Sequence, residues 1–128
     1  VAHKMRVPTW ELHANVGDAP PRSVPVPGGA AVTPDIVAFE KYTGRLAAIA
    51  AVESAATLPE GAAQWKLFEM LAPKFFIYVP EECLDEATKL CRRQGVALAA
   101  LRVYYHNSRN QFVVERGWRA QKRKQSAG

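Results

Sequence analysis

The sequence predicts an α+β fold: a helical pair followed by a β-α-β-β unit with a three-stranded mixed sheet, an extended Pro-rich N-terminal strap and a basic C-terminal tail. Six of the nine prolines lie within the first 34 residues, where they prevent long helices and central strands. Apolar residues then recur at three- and four-residue intervals, as in amphipathic helices. From residue 74 the pattern changes to short aromatic and β-branched runs, which are typical of strands.

The chain of 128 residues has the length of a single domain. Apolar residues make up 48% of it and charged residues 23%, which excludes bulk disorder and fibrous repeats. No stretch approaches the roughly 18 to 20 apolar residues of a membrane span. We expect an N-terminal strap over residues 1–33, an α+β domain over 34–117 and a basic tail over 118–128.

The predicted strap carries isolated apolar residues that a free linker would lack. Four prolines and two glycines between residues 19 and 29 favour polyproline-like or irregular extended chain. We expect this segment to lie along another surface, either its own domain or a partner. Its docking residues would be Trp10, Leu12, Val24 and Val26.

The helical pair is predicted between residues 34 and 71. Thr33 suits the capping position of a first helix over 34–56, and Pro34 suits its first turn. The buried stripe of this helix would be Phe39, Tyr42, Leu46 and Ile49. A second helix over 57–71 would fold back on the first as a helical hairpin.

The β-α-β-β unit begins with a strand over residues 74–79, whose continuous apolar run indicates burial on both faces. A helix over 81–94 follows, with acids in its first turn and Gly95 as a left-handed cap. Strands over 96–106 and 111–116 would form a hairpin around a short turn. A right-handed crossover would make the first two strands of the unit parallel.

No arrangement of residues points to a catalytic centre, a metal site or a cofactor. Cys83 and Cys91 are eight residues apart in one predicted helix, which is too far for a disulfide and unlike a zinc site. The histidines lack a nucleophile at a recognisable spacing, and the glycines form no phosphate-binding loop. We therefore expect a protein that is not an enzyme and has no small-molecule substrate.

The basic C-terminal region is the candidate binding feature. Residues 102–128 carry seven basic side chains and one acidic side chain, a balance of +6, while the whole chain carries +5. Arginine and lysine neutralise phosphates, and an exposed aromatic ring can stack on an unpaired base. We expect contact with RNA or with an acidic partner through Arg109, Arg116, Trp118, Arg119, Lys122, Arg123 and Lys124. The alternative is a tail that only keeps the protein soluble.

These features predict a non-catalytic structural subunit of a large organellar assembly, and most specifically a mitochondrial ribosome protein that contacts rRNA. The alternative is an accessory subunit of a respiratory-chain, ATP synthase or photosynthetic membrane complex, and a third hypothesis is a small soluble enzyme. The expected partners are other subunits of the complex, on the soluble side of a mitochondrion or another organelle. The first residue, Val1, fits removal of a targeting peptide or a boundary of the given sequence.

Overall fold

A computed structural model describes residue 5 and residues 7–15, 23–27 and 31–127, with side chains as far as residue 123. In this part of the chain six strands form one mixed sheet, so the α+β class is consistent but the predicted three-stranded sheet is wrong. The elements are β1 (Trp10–Ala14), β2 (Ile36–Glu40), β3 (Leu46–Val52), α1 (Leu58–Gly61), a 3-10 turn (Ala62–Gln64), α2 (Trp65–Leu71), β4 (Lys74–Pro80), a 3-10 turn (Glu81–Cys83), α3 (Leu84–Gln94), a 3-10 turn (Leu98–Ala100), β5 (Leu101–His106), β6 (Phe112–Arg116) and α4 (Gly117–Ala127).

The strands lie in the sheet in their order along the chain. β1, β2 and β3 are antiparallel, β3, β4 and β5 are parallel, and β6 runs antiparallel to β5. The two connections between parallel strands, from β3 to β4 and from β4 to β5, both move toward the β6 edge of the sheet. Right-handed crossovers therefore place their helices on the same face, which we call the helical face, and we call the opposite side the open face.

The helical face holds the larger apolar core. Trp65 of α2, Leu84 of α3 and Ala120 of α4 join strand residues such as Ile77 in one cluster. A second cluster lies on the open face and includes no residue of α1 to α4; its buried members are Met5, Ile36, Ala38, Ala47, Ala48, Ala50 and Tyr78. On the same face, Phe76 of β4, Tyr104 of β5 and Val114 of β6 are partly buried against this cluster.

Residues 36–52 form the β2–β3 hairpin, and the predicted first helix over 34–56 is therefore wrong. The chain turns at Gly44, whose φ of +71° favours glycine. Tyr42, which the predicted helix would have buried, is 88% exposed in this turn. Because β3 is buried on both faces, its apolar residues show no alternation, and they match a helical spacing by chance.

The two ends of the chain also differ from the prediction. Part of the predicted strap, Trp10–Ala14, forms the edge strand β1 and pairs with β2. The predicted tail enters helix α4, whose Ala120 is fully buried. The predicted second helix is divided into α1, a 3-10 turn and α2. β4, α3, β5 and β6 follow the predicted order of the β-α-β-β unit, but 3-10 turns replace the first part of its helix and of its second strand, so that β5 begins at Leu101 and not at residue 96. None of the helices in the described residues is long and apolar enough to cross a membrane.

Candidate functional site

Two arginines face each other across the β5–β6 pair. The antiparallel register places Arg102 directly opposite Arg116, and the parallel register places Tyr78 beside Arg102. Leu101 and Val103, the neighbours of Arg102, belong to the helical core, so the two arginines lie on the open face. Like charges directly opposite each other in an antiparallel pair are destabilising. This pair therefore costs stability in the free protein.

The Arg102 side chain is held against the sheet. Its guanidinium carbon lies 5.3 Å from the centroid of the Phe76 ring, and its Nη1 donates hydrogen bonds to the carbonyl oxygens of Ala99 and Leu101. Burial lowers the pKa of Arg102, the nearby Tyr78 raises it in part, and the positive charge of Arg116 lowers it again. Arg102 is thus a fixed and partly desolvated cation.

Helix α4 adds a third guanidinium to this pair. Arg119 lines a groove together with Tyr78, Arg102 and Arg116. An adjoining groove shares Arg102 and Arg116 and extends to Lys74 at the start of β4. We call the two together the basic groove and its four cations Lys74, Arg102, Arg116 and Arg119. Within the described residues, none of these four forms an ion pair with a carboxylate.

Two carboxylates line the basic groove, and both are held by other groups. Lys66 Nζ lies 2.9 Å from a Glu69 oxygen, and this hydrogen bond, with a second from a backbone N–H, lowers the pKa of Glu69. The Tyr105 hydroxyl donates to Glu115 at 2.6 Å, and Arg123 Nε lies 3.1 Å from the same carboxylate oxygen. The positive charge of the basic groove is therefore only partly balanced at its edges.

Helix α4 starts close against β5, and this contact orients its first turn. A Cβ atom on Gly117 would lie 3.3 Å from Leu101 Cγ, so glycine permits the close approach. Ala120 is fully buried, which leaves Trp118 and Arg119 on the outer side of the helix; Trp118 is 54% exposed. The guanidinium carbon of Arg119 lies 5.3 Å from the centroid of the Trp118 ring.

The other residues of the predicted binding arm do not line the basic groove. Arg123 is bound to its own domain through ion pairs with Glu81 and Glu115, and its guanidinium carbon lies 4.7 Å from the Tyr105 ring centroid. Arg109 is exposed in the β5–β6 turn, at the far end of the hairpin from Arg116.

The last two predicted arm residues follow along α4. Lys122 is exposed on that helix, and the side chain of Lys124 lies outside the described residues. Of the predicted set, Arg116, Trp118 and Arg119 are therefore the three that the structure brings together.

The predicted docking residues of the strap contact the protein's own domain. Trp10 and Leu12 are part of β1 and pack beside the open-face cluster. Val24 is 5% exposed within the helical core, and it exchanges backbone hydrogen bonds of 2.7 and 2.9 Å with Val32. Val26 is half-buried.

Sequence reasoning missed Lys74 and Arg102 as members of the basic groove. Each is the one basic residue on its strand, and each alternates with aromatic residues on the same face: Phe76 and Tyr78 in β4, and Tyr104 in β5. This alternation of basic and aromatic residues on a strand could have identified Lys74 and Arg102 from the sequence. The pairing of Arg102 with Arg116 could not have been predicted in this way, because it depends on the strand register.

A separate polar cluster lies at the carboxyl end of β3. Glu53 is only 6% exposed, and its carboxylate accepts a 2.8 Å hydrogen bond from the Thr57 hydroxyl. Burial raises the pKa of Glu53, the Thr57 hydroxyl lowers it in part, and the Asp35 carboxylate raises it again. The buried Nε1 of Trp65 has no hydrogen-bond partner among the described residues. A Cβ atom on Gly61 would lie 2.3 Å from both Glu53 carboxylate oxygens, so α1 rests directly on this side chain.

The remaining titratable groups offer less chemistry. The described residues contain no group of three or more His, Cys, Asp or Glu side chains that could hold a metal ion. Both cysteines are buried, and burial raises the pKa of Cys91 to about 11, which keeps this thiol protonated at neutral pH.

Comparisons of the chain with protein-family models, with curated proteins and with solved structures found no match.

Proposed function

We propose that the protein is a non-catalytic subunit of a large organellar assembly, most specifically the mitochondrial ribosome, and that it binds rRNA phosphates in the basic groove. The observation that carries this proposal is the convergence of Arg102, Arg116 and Arg119, none of which has a carboxylate partner among the described residues. Guanidinium groups stay charged and bind phosphate through paired hydrogen bonds. A phosphate in the groove therefore relieves their mutual repulsion and adds charge-assisted bonds.

The extent of the basic groove favours a polymer as its ligand over a single small anion. Its cations come from four elements, β4, β5, β6 and α4, and its two parts share Arg102 and Arg116. A nucleic acid strand presents a phosphate at every nucleotide, so one strand can contact several of these cations together.

The assembly and the compartment are proposed from the sequence. A proline-rich N-terminal region and a surplus of +6 in residues 102–128 suit a subunit wedged between RNA and protein. In the alternative, an accessory subunit of a membrane complex, the same cations would meet an acidic protein surface. The two hypotheses differ in whether ribonuclease releases the protein.

The proposal is tested by measuring the affinity of the full chain for a single-stranded RNA of about 12 nucleotides at several salt concentrations. Log affinity falls by about 0.7 per neutralised phosphate for each unit of log salt. Changing Arg116 and Arg119 to Gln together should therefore weaken binding and reduce this slope by about 1.4.

Arg92 and Arg93 provide the matched control, since both are exposed at the end of α3 and neither lines the basic groove. Changing this pair to Gln removes the same charge and should leave the slope near the wild-type value. Equal losses of RNA affinity in the two double variants would show that binding depends only on net charge, and would contradict a defined phosphate site.

A further inference from the structure

We infer that the ligand of the basic groove is single-stranded, and that one of its unpaired bases enters a cleft between Trp118 and Leu98. This inference rests on the proposed function and specifies the class of RNA that the groove accepts. A base within a duplex is stacked on both of its faces, so it cannot reach an aromatic wall.

The cleft has the form that a planar apolar group requires. Its walls are the two exposed apolar side chains Trp118 and Leu98, which are 54% and 42% exposed. Leu101 and Gly117 form its floor, and the cavity has a volume of about 210 Å³. Typical small-molecule sites begin at roughly 300 Å³, so this cleft suits a single ring system.

The cleft also has polar groups that can contact a base edge. Gln121 of α4 lines it and carries an amide that can donate and accept hydrogen bonds. Thr88 of α3 lines it as well; its hydroxyl donates to the Leu84 carbonyl at 2.8 Å, which leaves the oxygen lone pairs as acceptors.

The cleft and the basic groove are lined by neighbouring residues of α4. Trp118 lines the cleft and Arg119 lines the groove, and the Arg119 guanidinium carbon lies 5.3 Å from the Trp118 ring centroid. A phosphate bound by Arg119 therefore places its own nucleoside beside Trp118. The guanidinium covers part of the indole, and the exposed remainder of the ring is available for stacking.

The experiment compares two ligands of about 12 nucleotides: a single-stranded oligouridylate and an abasic strand with the same number of phosphates. Changing Trp118 to Ala should weaken binding of the oligouridylate by about 5- to 150-fold, the range expected for one stacked base. Binding of the abasic strand should stay at the wild-type level. Trp118→Phe should recover part of the loss, because it restores an aromatic face.

Tyr42 supplies the matched control, since it is an 88% exposed aromatic residue in the β2–β3 turn. Tyr42→Ala should change neither affinity. Wild-type protein that binds the two strands equally, with no effect of Trp118→Ala, would overturn the base cleft and leave the phosphate groove standing. Wild-type protein that binds neither strand would overturn the phosphate groove, and the base cleft with it.

Discussion

The Arg102–Arg116 pair combines a cost in stability with a potential gain in binding. Cross-strand pairs contribute about 0.2–1 kcal/mol when favourable, and directly opposed like charges are unfavourable. Glu115, the neighbour of Arg116, compensates the pair only in part, because its carboxylate is bound to Tyr105 and Arg123. A multivalent anion would compensate it. The local cost therefore supports the proposed phosphate site.

This cost can be measured in the free protein. Arg116→Gln removes the repulsion without disturbing the core, so it should raise the free energy of unfolding by about 0.2–1 kcal/mol at low salt. The gain should shrink at high salt, since exposed charges are then screened. Urea denaturation of wild type and variant at two salt concentrations measures both effects. An Arg116→Gln variant less stable than wild type at low salt would contradict the repulsive pair.

At the scale of elements, local signals predicted the second half of the chain and failed in the first half. The run at β4 is aromatic and β-branched, and α3 ends at Gly95 with a left-handed φ of +70°, so both carry their own start and stop signals. The alanine-rich strand β3 has no such signal, because burial on both faces removes the alternation that marks a strand.

The candidate site was predictable only in part, for a similar reason. Arg116, Trp118 and Arg119 are adjacent in sequence, and a local surplus of positive charge revealed them. Lys74 and Arg102 join them through the packing of β4 and β5 side by side. The proximity of Lys74 and Arg102 to these residues is set by tertiary structure, and residue spacing along the chain does not predict it.

Glu53 connects two elements, β3 and α1, and this connection should depend on pH. Burial raises the pKa of Glu53 above its ordinary value of 4.5, so the folded state favours the neutral carboxyl. The stability that this group contributes is therefore fully present below about pH 4.5 and is lost as the pH rises through the raised pKa. The variant Glu53→Gln cannot ionise and should not show this loss.

The expected result is a gap in unfolding free energy between wild type and Glu53→Gln that moves in favour of the variant as the pH rises above about 4.5. Urea denaturation at a series of pH values measures this gap. A gap that does not change with pH, or that moves in favour of wild type, would show that the pKa of Glu53 is not raised in the fold.

At the scale of the whole molecule, the cations of the basic groove and the acidic residues Glu53 and Glu81 lie at different places along the parallel strands. Lys74 and Arg102 lie at the amino ends of β4 and β5, with Arg116 opposite Arg102. Glu53 follows the carboxyl end of β3, and Glu81 follows that of β4. The two groups therefore lie toward opposite ends of the parallel strands. Such a distribution would orient the basic groove toward RNA during association.

The most direct test of RNA binding through the basic groove is sedimentation of the protein from a native cell extract, with and without ribonuclease. We predict that the wild-type protein sediments with a large particle and is released by ribonuclease. The variant with Arg116 and Arg119 changed to Gln should be reduced in that particle, and the variant with Arg92 and Arg93 changed to Gln should be retained. Wild-type protein that stays in the particle after ribonuclease treatment would contradict the account and would indicate an acidic protein partner.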